Sequence, residues 1–110
     1  MRTLPLAAFH ILLAVADRDR HGYAIMQDVH ARTDGRLRLG PGTLYGSIKR
    51  LLEDGLIQEV DERPDPGNDD VRRRYYRITR LGRRIAAEEM ARLDALLRHA
   101  RSIGLVPKKA

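Results

Sequence analysis

The chain has 110 residues, 43% hydrophobic and 33% charged, which is enough for one core and excludes both a disordered polyelectrolyte and two independent domains. Twenty-one Lys and Arg against 15 Asp and Glu leave a formal charge of +6, which favours a polyanionic partner such as nucleic acid or an anionic membrane. The lack of cysteine excludes disulfides, thiolate metal sites and cysteine nucleophiles.

Arg2, the apolar run from Leu4 to Ala16 and the triplet Ala14-Val15-Ala16 have the outline of a signal peptide. Pro5 and His10 interrupt the run, however, and cleavage would remove a helix that the remaining chain needs for its core. The segment therefore reads as a buried first helix capped by Thr3, with Pro5 in its first turn and a stop at Asp17. It falls short of the about 20 apolar residues of a membrane span, so the expectation is a soluble, cytoplasmic protein without a membrane partner. After a charged connector over 17–20, His21-Gly22-Tyr23 opens a second helix, with Ile25, Met26 and Val29 on one face and Gly35 at its end.

The run Gly40-Pro41-Gly42-Thr43-Leu44-Tyr45-Gly46-Ser47-Ile48-Lys49-Arg50-Leu51-Leu52 predicts a third helix that stops at Gly55. At about 100° per residue, Leu44, Ile48, Leu51 and Leu52 share one arc, Thr43, Gly46, Ser47 and Arg50 lie opposite, and Tyr45 and Lys49 run along an edge. By itself this is any amphipathic surface helix. The residues downstream give it a context: a strand over Leu56 to Arg63, a turn-rich loop over Pro64 to Asp70, and a returning strand over Arg72 to Thr79. Tyr76 and Ile78 then face inward, and Tyr75 and Arg77 outward. Three helices followed by a hairpin is the order of a winged helix-turn-helix. The fold class is mainly α with a small β-hairpin.

Thr79 is placed to cap a long last helix, in which Ala86, Met90, Leu93, Leu97 and Ala100 recur at spacings of four and three, with Leu96 and Ile103 broadening the stripe. So narrow a seam suits a second helix, either in the chain's own domain or in another copy, and we read it as a homodimer seam. The organisation is a DNA-binding unit over 1–79, a dimerisation helix over 80–105 and a basic tail over 106–110.

Duplex DNA demands a slim polar helix face, a helix N-terminus near the backbone and flanking cations. Thr43, Tyr45, Ser47, Lys49 and Arg50 are the candidate groove contacts, and Gly42 and Gly46 keep the helix thin. Arg72, Arg73 and Arg74, at the base of the hairpin, are candidate phosphate contacts. Their other reading is a solvated strand face paired with Asp61, Glu62 and the loop aspartates. Asp65, Asp69 and Asp70 would be repelled by phosphates, so the hairpin tip is assigned no contact and is expected to project into solvent or over the groove edge.

Together, His21-Gly22-Tyr23-Ala24-Ile25, Gly42-Thr43-Leu44-Tyr45 with Lys49-Arg50-Leu51, Asp54-Gly55-Leu56-Ile57 and Arg73-Arg74-Tyr75-Tyr76-Arg77-Ile78-Thr79 resemble the PadR family of transcriptional regulators, in the family's order. The resemblance implies a winged-helix dimer, usually a repressor on an operator of dyad symmetry, with the recognition role on the third helix, Tyr45 included. One departure is Gly46, where many members carry proline. The single C-terminal helix resembles the compact branch, whose members can hold planar effectors between subunits by means of a tryptophan. This chain has no tryptophan, so an effector is left open and unsupported.

No nucleophile motif, no phosphate loop beyond the weak Gly40-Pro41-Gly42 and no paired-histidine metal spacing is present, and His10, His21, His30 and His99 read as core-edge or surface residues. The expectation is no enzyme, no cofactor and no metal. The function expected is sequence-specific binding of a double-stranded DNA operator as a homodimer. The alternatives are a winged-helix protein-interaction module, which would expose apolar anchors on its third helix, and a non-specific nucleic-acid binder.

Overall fold

The N-terminal apolar run forms α1 (Leu6–Ala14), in which Ala8, Phe9, Ile11, Leu12 and Ala14 are buried. This computed structural model describes residues 4–107, without the side chains of 68–71, so the expected Thr3 cap and the end of the expected tail lie outside the described residues. Pro5 occupies the N-cap position itself rather than the first turn, and makes no side-chain cap. The helix also stops earlier than expected, because the chain turns away after Val15 to form a strand. The carbonyls left open at its end are met by guanidinium groups: Arg20 donates to the Ala14 carbonyl, and Arg83 donates to that of Ala16 at 2.7 Å.

The segment expected to be a plain connector contains β1 (Arg20–His21), which leads straight into α2 (Gly22–Arg32). His21 ends the strand and caps the helix, its Nδ1 accepting from the Ala24 backbone N–H at 3.1 Å. Past the end of α2, Asp34 (φ 53°) and Gly35 (φ 76°) reverse the chain in left-handed conformations. Gly35 thus belongs to the turn after the helix.

Helix α3 (Pro41–Glu53) buries Leu44, Ile48 and Leu51 and half-buries Leu52, the expected arc. It closes with Gly55 at φ 74°, whose N–H reaches Leu52 O at 3.1 Å while the Leu56 N–H reaches Leu51 O at 2.9 Å. Two buried leucines, Leu51 and Leu56, flank that turn and tie the helix end to the sheet.

Strands β2 (Ile57–Asp65) and β3 (Asn68–Ile78) form an antiparallel hairpin with β1 on the outer side of β3, giving the order β1-β3-β2. The sheet therefore has three strands where two were expected. The expected loop over 64–70 is also mostly strand: Asp65 pairs with Asn68 across Pro66-Gly67, and the Asp65 carboxylate accepts from the Gly67 N–H at 3.1 Å. A bulge between Glu59 and Asp61 leaves Val60 without an opposite residue.

Helix α4 (Arg80–Ser102) starts at Thr79, whose Oγ1 accepts from the Gly82 N–H at 3.0 Å and donates to the Gly55 carbonyl at 2.6 Å. Its first two turns complete the domain, with Gly82 and Ala86 buried against the core built from Ile11, Leu12, Ile25, Leu44, Leu51, Leu56 and Ile57. From Met90 to Leu97 its apolar side chains stand open to solvent. Among the described residues no helix is long and apolar enough to cross a membrane.

Candidate nucleic-acid interface

Because α3 spends Leu44, Ile48 and Leu51 on the core, its opposite side faces out, with Thr43, Tyr45, Gly46, Lys49 and Arg50 exposed and Ser47 half-buried. Its N-cap residue is Gly40, which has no side chain to satisfy the first-turn N–H groups, and Pro41 stands in its first turn. The result is a thin helix start with its positive dipole end turned to solvent.

The two flanks of the exposed face differ. On one, Gly46, Ser47 and Arg50 share a cleft of about 410 Å³ with Leu4, Pro5 and Ala8 at the start of α1. On the other, Tyr45 leans over the start of α2 toward the hairpin, and with His21, Gly22, Arg72, Arg73, Arg74 and Tyr76 encloses a cleft of about 190 Å³. A Cβ at Gly22 would sit 2.8 Å from the Tyr45 hydroxyl, so the absence of a side chain there lets the ring lie against α2. The structure thus gathers Tyr45 and the three hairpin arginines, 27 and more residues apart in the chain, around one small cleft.

All three arginines have carboxylate partners within the hairpin. Arg72 Nε lies 3.8 Å from Glu62, Arg73 Nε lies 3.3 Å from Asp65, and Arg74 Nε lies 3.7 Å from both Glu59 and Glu62. The paired strand face weighed from sequence is therefore present in part: Glu62 and Asp65 are partners as expected and Glu59 is added, whereas Asp61 pairs with Arg63 instead. Asp65 does not project from the tip as expected. It is folded back, with its side chain 19% exposed, between Arg73 and His21 Nε2, the latter at 4.0 Å. The side chains of Asp69 and Asp70 lie outside the described residues.

His21 is buried, edge-on to the Tyr75 ring at 5.3 Å, and burial followed by the Arg73 charge holds its pKa below the ordinary histidine value, against the pull of Asp65. Arg63 lies over the Tyr75 ring, 4.3 Å from its centroid. Arg63 and Arg77, one from each hairpin strand, both donate to Asp19, with distances of 2.9 to 3.0 Å. The hydrogen bond from Arg77, then that from Arg63, holds the Asp19 carboxyl below its usual range despite partial burial. Asp19, His21, Gly22 and Glu59 were not singled out as functional positions from sequence. Only His21-Gly22 carried a signal, as part of a motif.

On α4, Met90, Leu93 and Leu97 are 43%, 38% and 39% exposed, and Leu96 is 54% exposed. Ala86 does not share that open seam: it is 7% exposed and packed in the domain's own core, because Gly82, one turn earlier, draws the helix onto Leu56. Ala100 is half-buried where the chain folds back, with the Leu105 N–H on its carbonyl at 2.9 Å.

A three-helix core, a recognition-type third helix, and a hairpin set beside that helix define a winged helix-turn-helix. The Transcriptional regulator PadR-like family matches residues 11–88. A transcriptional regulator of Mycobacterium tuberculosis is 36% identical over 100 residues, covering 89% of this chain and 87% of that one. The fold is shared with a PadR family transcription regulator of Clostridium difficile, with a TM-score of 0.73 and 21% identity over 90% of this chain and 98% of that one. It is shared also with Bacillus subtilis PadR in complex with operator DNA, with a TM-score of 0.67 and 15% identity over 78% of this chain and 47% of that one. The chain belongs to the PadR family, whose members are transcriptional regulators and not enzymes.

Proposed function

We propose that this chain is a cytoplasmic repressor that binds a pseudo-palindromic operator as a homodimer, each subunit placing α3 in the major groove. The observation that carries this reading is the exposed face of α3. It is polar along Thr43, Ser47, Lys49 and Arg50, starts at an uncapped helix end, and is flanked by the arginine cleft. A protein-docking face would present apolar anchors there instead. The Bacillus subtilis relative in complex with operator DNA supports a DNA partner for the same fold. Arg72, Arg73 and Arg74 hold phosphates, while Thr43, Tyr45, Ser47, Lys49 and Arg50 read or orient on bases. Self-association runs through Met90, Leu93 and Leu97, with Ala100 at the far end of the seam and Ala86 beneath its near end.

The test is comparative. Operator fragments are selected from the host genome, and Ser47→Ala, Lys49→Ala and Tyr45→Phe are measured on the operator and on its single-base variants. Loss of a base contact costs about 1 to 3 kcal/mol and relaxes preference at one position in each half-site. Wild-type rank order across all base variants for all three substitutions would remove α3 from the role of reader. Equal binding to every sequence by the wild-type protein would leave a non-specific nucleic-acid binder.

A further inference from the structure

Glu59 and Glu62 stand on β2 beside the arginines that the proposed function turns toward phosphate. Arg74 Nε is 3.7 Å from a carboxylate oxygen of each, and Arg72 Nε is 3.8 Å from Glu62. These contacts are longer than charge-assisted hydrogen bonds, and all four side chains are open, Arg72 and Arg74 at 56% and 64%, Glu59 and Glu62 at 41% and 51%. Neither carboxylate takes part in a hydrogen bond among the described residues. Pairs of this kind add little to folding stability.

Asp65 shows what a structural partner looks like in the same hairpin. It is mostly buried, closes the turn through the Gly67 N–H, and lies between Arg73 and His21. Glu59 and Glu62 do none of this. Their effect is electrostatic and local: the Glu59 charge reaches Tyr76, raising a hydroxyl pKa already raised by burial, and Arg74 and Tyr45 act on that same hydroxyl. The carboxylate is therefore within electrostatic reach of the arginine cleft beside the recognition helix.

We infer that Glu59 and Glu62 are resident phosphate surrogates, anionic groups that neutralise Arg74 and stand beside Arg72, whose guanidinium donates to the Glu62 backbone carbonyl at 2.8 Å, and so temper the free protein's affinity for the DNA backbone. A phosphate approaching either arginine must displace or coexist with a carboxylate. The net affinity from these cations is thus lower than their number implies, for DNA of any sequence. Because non-specific binding is almost entirely backbone electrostatics, these acids limit the hold of competing genomic sites.

The inference rests on the DNA-binding reading above, and its test separates the two. Binding of the full-length protein to a fluorescein-labelled random-sequence duplex is measured by anisotropy across a salt series, for wild type and for Glu59→Gln/Glu62→Gln. The expected result is a gain of about two- to fivefold per carboxylate removed. The log–log salt slope should steepen by about 0.9 for each phosphate newly held. Glu88→Gln/Asp94→Asn makes the same charge change on α4 and should gain less than twofold, and adding Arg72→Ala/Arg74→Ala to the glutamine pair should erase its gain. Unchanged affinity and slope in the glutamine pair, or an equal gain from the α4 pair, overturns the inference while leaving DNA binding intact. No binding by wild type at any salt concentration overturns the function itself.

Discussion

Gly82→Ala should destabilise the protein although it replaces a poor helix former with the best one. A Cβ at Gly82 would lie 2.0 Å from the Leu56 carbonyl oxygen, 2.9 Å from the Leu56 carbonyl carbon and 3.0 Å from Ile78 Cγ1. Ordinary C···O contact begins at about 3.3 Å, so α4 would have to retreat by about 1.3 Å. The obstacle is backbone, and it is fixed: the same Leu56 carbonyl accepts from the Thr79 N–H at 3.1 Å. Overpacking of this kind costs about 1 to 3 kcal/mol, and straining or losing that hydrogen bond adds about 1 kcal/mol. The gain in helix propensity returns at most about 1 kcal/mol, leaving a net loss of about 2 kcal/mol. At about 4 to 8 °C per kcal/mol for a domain of this size, the melting temperature should fall by roughly 10 °C at fixed protein concentration. Gly46→Ala is the matched control, in mid-helix with nothing within 4 Å of its added methyl, and should gain up to about 1 kcal/mol. Urea titration of both variants checks the pair. A Gly82→Ala protein as stable as wild type would refute the reasoning from close approach.

Three further outcomes are expected. Thr79→Ala removes both the cap on Gly82 and the donor to Gly55, and should cost about 1 to 2 kcal/mol in urea titration, whereas Thr79→Ser should restore most of it. His21 has a folded-state pKa below its unfolded value of 6.5, so its contribution to stability is full above pH 6.5 and fades as pH falls toward the lower folded value. His21→Asn keeps a capping side chain, so it should flatten the pH dependence of urea midpoints in that window; an unchanged dependence would assign it to another group. Leu93→Glu places a carboxylate in the open α4 seam and should make a dimer monomeric by sedimentation with little loss of helix signal, and a wild-type monomer at tens of micromolar, an order-of-magnitude working range, would end the dimer proposal.

Periodicity made α3 legible: Leu44, Ile48 and Leu51 are buried and the polar arc is open except at half-buried Ser47, because a helix face is decided largely by hydrophobicity. The hairpin was legible as a hairpin but not in length, since Pro64 and the aspartates read as loop while Pro66-Gly67 makes the turn. β1 could not be read at all, as two residues carry no period and its pairing with Tyr75 and Tyr76 is set by the tertiary fold. Ala86 followed the heptad-like spacing of α4 faithfully and still belongs to the core. A seam is defined by spacing, but where it leaves the domain is set by the close approach at Gly82. Likewise the arginine run was visible, whereas its partner Glu59 was not, because pairing across strands depends on a register shifted by the bulge at Val60.

The contacts around the arginine cleft explain how a hairpin with little core of its own is aimed beside the recognition helix. Asp19, just before β1, holds Arg63 of β2 and Arg77 of β3; Arg63 covers Tyr75; Tyr75 meets His21; and His21 caps the helix whose first residue, Gly22, supports Tyr45 of α3. Each ion pair in this series is too exposed to count for much in stability, so its consequence is positional. The two ends also respond to acid differently. Acid adds charge at His21, whose pKa burial holds below the ordinary histidine value, and removes it from Asp19, whose carboxyl the hydrogen bonds from Arg77 and Arg63 hold below the ordinary aspartate range.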